Sequence, residues 1–407
     1  MYIKNIENST YKLMVIFSML WIVIESFFPL FVAERNEPTK IFNFIFFVTG
    51  SLMFLYNFIR RKAPNENTIG KAFALWVSMN VIYVLYMFIF KGVFPGFFSI
   101  IVAVFMWAIV GYTCIKWGYY SNQQNIRNEN FQFIVKIALI TLLFVCLRSL
   151  YLRALYPEKG MPIEIAQELI NRNPYLILWL SALLLVTKYR FRVLIFAISF
   201  LVILSTAKRG PLVAAAFAGF LTLLLNSKFS VIKRIAAIWI VIVGVIGAYF
   251  VMPDFFNTLF ARFDTSDSDV SSYRFEFWTY LFGLQSEADL SLNFFGFGFY
   301  EAQNYIEKLI GVFVHAHSDW VEIFFDYGLL GIIIFISMHI AMIKVAIISK
   351  KKKYEHAWIF MYFYFMFLLS NFYTGTTMTV GTVWFSIPYG YLYGDFIWKK
   401  NKLLTPR

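Results

Sequence analysis

Runs of about twenty apolar residues recur along almost the whole chain, and a run of that length can cross a bilayer as a helix. The sequence offers twelve such candidates, near 13–32, 40–59, 71–90, 96–116, 132–151, 174–188, 192–207, 211–226, 234–252, 320–344, 355–374 and 379–398. Hydrocarbon holds no water to pair an open backbone group, so each crossing segment must close its own hydrogen bonds as a helix. The expected fold is therefore an all-α polytopic membrane protein with about twelve transmembrane helices. Only 14% of the 407 residues are charged, against about 25% in a soluble domain, which leaves too few to cover a water-facing surface.

Lys and Arg favour cytoplasmic connections. Arg60, Arg61 and Lys62 follow the second candidate span; Lys188, Arg190 and Arg192 follow the sixth; Lys228, Lys233 and Arg234 follow the eighth. Lys350 to Lys353 close the tenth, and Lys399, Lys400 and Lys402 follow the twelfth. Every cluster comes after an even-numbered span, so both termini are expected in the cytoplasm. The first run shows no small-residue cleavage site and reads as an uncleaved signal-anchor. The chain divides into helices one to six (1–188), helices seven to nine (189–252), one large extracytoplasmic loop (253–319), and helices ten to twelve with the tail (320–407).

The large loop carries ten acids against three bases, a net charge of −7, within a chain whose net charge is +13. The basic excess therefore follows from topology, and no nucleic-acid partner is expected. Cys114 and Cys146 both fall in apolar runs and offer no metal spacing. Glu25 sits inside the first span, where a charge is costly and marks a function or a buried partner.

Three segments carry side chains suited to chemistry. In Ser205-Thr-Ala-Lys-Arg-Gly-Pro211, proline suits a first helical position, so helix eight is expected to begin near Pro211. Its amide-rich N-terminus would face outward beside Lys208 and Arg209, a ready anion site, although cations at an interface also occur without function. In the loop, Arg274-Phe-Glu-Phe-Trp278 precedes Phe295-Gly-Phe-Gly-Phe299; Arg274 reads either as an ion-pair partner or as a functional guanidinium, and the glycines as a tight turn. At the entry to span ten stand His315, His317 and Ser318, then Gly328-Leu-Leu-Gly331. Ser318 suits a helix N-cap and Asp319 its first turn. A histidine there can act as a base near neutral pH, or be a surface residue at a helix start. His339 and His356 read as packing or interfacial residues. Two histidines without a cysteine or a third histidine make a poor zinc site, and no cofactor is expected. Asp267-Ser-Asp269 imitates a metal-binding Asp-x-Asp pair but reads better as a solvated acidic loop.

Together these segments resemble the bacterial O-antigen ligase and polymerase family. His317-Ser318, nine residues and then Gly328-Leu-Leu-Gly331 match its His-[Asn/Ser/Gln]-x9-Gly-x-x-Gly pattern. Lys208-Arg209-Gly210 resembles its Ser-Arg-Gly motif, with Ala-Lys ahead of the arginine. Arg274, Trp278 and Phe295-Gly-Phe-Gly match the start and middle of its large periplasmic loop, and the resemblance covers roughly residues 190–345.

The resemblance implies a metal-independent transferase of the C-type membrane glycosyltransferase architecture, in the bacterial inner membrane with a periplasmic site. Its donor would be an oligosaccharide on undecaprenyl diphosphate, and its acceptor another lipid-linked glycan or the lipid A core. Arg209 and Arg274 would hold the diphosphate with Lys208 and His315 nearby, and His317 would deprotonate or orient the acceptor hydroxyl. Ser318, Gly328, Gly331 and Trp278 would support the motif. Other polysaccharide assembly proteins are natural partners. A repeat-unit polymerase is favoured over a ligase. A lipid-linked glycan flippase is the main non-enzyme alternative and would call for ionisable groups near the midplane of several spans. A non-catalytic subunit controlling chain length would not need a histidine and two outward arginines together.

Overall fold

The computed structural model describes residues 2–27, 37–60, 67–92, 97–155, 174–183, 192–205, 209–225, 230–232, 235, 239, 249–250, 274–311, 313–375, 377 and 380–404. No strand occurs among them. The helices are α1 (Tyr2–Phe27), α2 (Glu37–Arg60), α3 (Thr68–Phe90), α4 (Phe97–Gln123), α5 (Arg127–Leu155), α6 (174–182), α7 (Arg192–Ser205) and α8 (Arg209–Leu225). They continue as α9 (Arg274–Glu287), α10 (Leu290–Phe295), α11 (Glu301–Ile310), α12 (Asp319–Lys351), α13 (Ala357–Tyr373) and α14 (Val383–Leu404). Among the described residues four stretches are long and apolar enough to cross a membrane: Thr68–Phe90, Ile100–Gln123, Arg127–Leu150 and Asp319–Lys351. Gly210–Thr222 and Ala357–Tyr373 are shorter apolar helices. Lys208, most of the span expected at 234–252 and the first part of the large loop, with Asp267 and Asp269, lie outside the described residues. Glu25 lies in α1, its side chain outside the description.

Helix α4 forms the centre, buried along almost its whole length. It meets α14 through glycines, because only a residue without a side chain lets two helix backbones approach so closely. A methyl group on Gly118 would collide with the Tyr391 carbonyl, one on Gly390 with the Gly111 carbonyl, and one on Gly394 with the Ile115 carbonyl. Helix α3 packs on the other side, where the Trp76 indole donates to the Val104 carbonyl at 3.1 Å.

The end of the bundle nearest the Lys350–Lys353 cluster is tied by charge. Arg127 at the start of α5 reaches Glu355 Oε1 at 2.6 Å and Asp395 Oδ2 at 2.9 Å. Lys399 meets the same Glu355 oxygen at 2.7 Å, and the Tyr354 hydroxyl donates to Asp395 Oδ2 at 2.5 Å. Helix α13 begins only at Ala357, so Glu355 and His356 belong to the connection from α12 rather than to a span.

Helix eight begins at Arg209, two residues before Pro211, which falls in the first turn where its missing N–H leaves no bond unmade. One expectation is corrected. Span ten is not one continuous helix. Gly328, at φ 62° and ψ −156°, breaks α12 into an outer limb, 319–327, and a long limb, 329–351. The limbs fold back on each other: the Trp320 ring stacks 5.1 Å from His339 and meets Phe335 at 4.8 Å. A methyl group on Gly331 would collide with Tyr327 Cβ and come within 3.1 Å of the Ile323 carbonyl. The nine-residue outer limb is about 13 Å long at 1.5 Å per residue. Ser318 at its start therefore sits level with the second to third turns of the long limb, inward of the Gly328 corner.

Candidate active site

The corner is built from two glycine motifs that touch. Gly296 and Gly328 both have positive φ, 78° and 62°, a region that side chains disfavour. A methyl group on Gly328 would come within 2.5 Å of the Phe294 carbonyl and 2.6 Å of the Gly296 amide nitrogen. The amides of Phe297 and Gly298 donate to the carbonyls of Phe325 and Asp326, both at 2.9 Å. The Tyr83 hydroxyl donates to the Phe295 carbonyl, while Lys91 reaches the Phe297 carbonyl at 3.0 Å and Glu301 at 2.8 Å. The end of α3, with Lys91 just beyond it, thus fixes the corner.

From the corner the outer limb leads back to the histidines. The Trp278 indole donates to the Ala316 carbonyl at 2.8 Å, pinning α9 to the residue between His315 and His317. Ala316 is packed under Phe277, Leu281, Val321 and Phe325, which fixes that short segment. Arg274 lies one turn before Trp278 and so shares its face of α9. His317 is partly buried and left-handed at φ 58°, an uncommon conformation for a residue other than glycine. Ser318 occupies the N-cap position, but its hydroxyl makes no capping bond and turns to the Asn371 carbonyl at 3.4 Å. The acid beside it is fully buried and holds the connection after α13. Asp319 accepts from the Thr377 amide at 3.1 Å and the Thr377 hydroxyl at 2.6 Å.

His315 stands in a chain of polar groups. Its Nδ1 lies 3.2 Å from Glu322 Oε2, and Gln303 Nε2 lies 3.0 Å from both atoms. Its Nε2 lies 3.0 Å from the Tyr300 hydroxyl. With the Nδ1 proton turned to the carboxylate, Nε2 accepts from the phenol, and the Gln303 amide N–H donates to Glu322 Oε2 rather than to Nδ1. Tyr300 is itself left-handed at φ 64°. Glu322 is fully buried, and its Oε1, Gln303 Oε1 and Asp326 Oδ2 have no hydrogen-bond partner. Sequence reading did not single out Glu322, Gln303 or Tyr300. Two acids, Glu322 and Asp326, inside an apolar run were the available signal.

The cationic side is assembled by Tyr175 of α6. A methyl group on Gly210 would collide with the Tyr175 hydroxyl and lie 3.3 Å from Tyr373 Cβ. The charge of Arg274 acts on the Tyr175 hydroxyl, as does the neighbouring Tyr373 phenol. The Nε–H of Arg274 is buried with no hydrogen-bond acceptor. Gly210 thus packs against Tyr175, within electrostatic reach of Arg274, and the Trp278 bond to Ala316 holds the α9 helix that carries Arg274 against the segment between the two histidines. Arg209 opens α8 directly before Gly210, its side chain outside the description, and Lys208 is outside it altogether. Among the described residues no group of three or more His, Cys, Asp or Glu is placed to hold a metal.

The sequence model of one known family, described as O-antigen ligase, matches residues 194–336. That stretch runs from α7 through the Lys-Arg-Gly turn, α9, both histidines and the Gly328 corner. A comparison with curated proteins gives no match. Over residues 194–336 the chain is similar to the O-antigen ligase family, and the three motif segments read from the sequence all fall inside that stretch.

Proposed function

We propose that the protein is an O-antigen or polysaccharide repeat-unit polymerase, an inverting and metal-independent glycosyltransferase. It moves a glycan from undecaprenyl diphosphate to a sugar hydroxyl of another lipid-linked glycan, at the periplasmic face of the bacterial inner membrane. The observation that carries the reading is the Trp278–Ala316 hydrogen bond, which holds the Arg274 helix against the histidine segment.

Breaking the sugar–phosphate bond puts growing negative charge on the diphosphate. Arg209 and Arg274 suit that charge because a guanidinium stays cationic and offers a planar fork to two oxygens. One well-placed donor in a water-poor site lowers such a barrier by about 3 kcal/mol. His317 takes the proton of the attacking hydroxyl, help worth about 10²–10⁴-fold. Attack from the face opposite the leaving diphosphate inverts the anomeric centre. Lys208, next to Arg209 in sequence, would add charge beside the diphosphate, while His315 shapes the acceptor side through Tyr300 and Glu322.

The ligase reading, with the lipid A core as acceptor, is favoured by the description of the matched family. Complementing a null strain separates the two. Loss of long glycan with single-repeat capping retained supports a polymerase; loss of every capped form supports a ligase. Unchanged glycan of both kinds overturns both.

A further inference from the structure

We propose that Thr377 is a positioning residue for His317, acting through the buried carboxylate of Asp319. The assignment rests on the reading above, in which Arg209 holds the donor and His317 meets the acceptor. A left-handed histidine persists where its surroundings over-determine the backbone, and each of the three residues after His317 is fastened to one short stretch. The Ser318 hydroxyl donates to the Asn371 carbonyl at 3.4 Å, and the Trp320 ring stacks 5.6 Å from Phe372. Between them, both Asp319 oxygens accept from the Thr377 amide at 3.1 Å, and Oδ1 also accepts from the Thr377 hydroxyl at 2.6 Å. Asp319 and Thr377 are fully buried, so these charge-assisted bonds form out of reach of bulk water. The same end of α13 reaches the cationic turn. A methyl group on Gly210 would lie 3.3 Å from Tyr373 Cβ, and α13 packs along α8. Residues 371–377 therefore touch both the residue after Arg209 and the residues after His317. An arginine and a base that serve one substrate need a fixed spacing, since a misplacement of about 1 Å can cost about 100-fold in rate. All of these partners lie beyond residue 336, where the family match ends.

The test uses the full chain in nanodiscs, with an undecaprenyl-diphosphate-linked repeat unit as donor and acceptor, and measures kcat and KM per mole of folded protein. Thr377→Val keeps the shape and the amide bond and removes the hydroxyl. It is expected to lower kcat about 10–100-fold with KM unchanged, because the substrate is still bound while the base is displaced. Thr377→Ser restores the hydroxyl and should recover most of the loss. In a His317→Ala background Thr377→Val should change the residual rate by less than about twofold, since the residue it positions is gone. Wild-type kcat in Thr377→Val overturns the assignment and leaves the donor reading standing. So does an equal slowing with and without His317, which would make the Asp319 bond a purely structural one. No transfer by the wild type overturns the donor reading, and a fully active His317→Ala the base reading; this assignment falls with either.

Discussion

The molecule holds its carboxylates in two different ways. At the end near Lys350, Glu355 and Asp395 are met by formal charges, Arg127 and Lys399, at 2.6 to 3.4 Å. Around the histidines the buried acids are met mostly by neutral donors. Asp326 accepts from the Ala302 amide, Asp319 from Thr377, and Glu322 from Gln303 and His315. A carboxylate paired with a fixed cation has little left to offer a substrate. One held by amides and an imidazole keeps its field, and that field acts on whatever stands beside it. The first cluster ties α5, the α12–α13 connection and α14 together; the second orients His315 through Glu322. The second cluster lies largely inside the stretch that matches the O-antigen ligase family model, and the first lies outside it.

Substitutions at the two ends should therefore fail differently. His317→Ala is expected to reduce glycan transfer by about 10²–10⁴-fold with membrane abundance unchanged, since the loss is of proton transfer. Arg274→Lys should be similarly impaired, because an ammonium cannot chelate two phosphate oxygens. Transfer assays on membranes normalised by immunoblot decide both, and a fully active His317→Ala removes the base assignment. Asp395→Ala should behave in the opposite way. It strands the Arg127 guanidinium beside a single partner and should cost about 3–5 kcal/mol of stability. Abundance falls, while the molecules that remain transfer at the wild-type rate per mole. Normal abundance with lost activity would erase the distinction between the two clusters.

Gly328→Ala lies between these cases, since it changes backbone geometry and no charge. Forcing φ 62° on alanine costs about 1–3 kcal/mol, and the new methyl presses on the Phe294 carbonyl and the Gly296 amide. A shifted corner carries the outer limb and His317 with it, so activity should fall further than abundance. Glu322→Gln is milder. It keeps the shape of the Gln303 and His315 contacts but removes the charge that fixes the imidazole, and about tenfold slower transfer at unchanged abundance is expected. Wild-type transfer would mean that His315 needs no carboxylate.

The bundle was legible in the sequence because a membrane leaves a long apolar run only one way to satisfy its backbone. The fold-back in α12 was not. A window average over residues 320–344 hardly registers one glycine, and the reversal at Gly328 depends on backbone contact with Gly296, thirty-two positions earlier. The same limit applies at the site. His317, Arg274 and the glycines stand in motifs and could be named from spacing. Tyr175 sits in an apolar helix with no motif, and only folding brings its hydroxyl to Gly210. Ser318 takes the N-cap position its type suggests, but its hydroxyl turns to the Asn371 carbonyl rather than to the helix amides, a partner that sequence spacing does not reveal.

The smallest expected effect concerns acid and sharpens the contrast from the charged end. Burial pushes His356 down from 6.5 to about 4, against the opposing pull of Glu355. Burial alone would raise the Glu355 carboxyl, but the Lys399 hydrogen bond and the Arg127 charge outweigh it and hold the group at about 2. In both groups the unfolded chain binds protons at a higher pH than the folded one, so stability is lost as pH falls. The His356 contribution fades between about 6.5 and 4, and that of Glu355 between about 4.5 and 2. Glu355 is half exposed, so solvent screening keeps its share small. Thermal unfolding in nanodiscs should show the midpoint falling through the first window and then the second. His356→Gln should flatten the first fall and Glu355→Gln the second, whereas Glu322→Gln should leave the Glu355 step unchanged. If Glu322→Gln instead removes the step between 4.5 and 2, the acid-sensitive lock sits beside the histidines rather than at the Arg127 end.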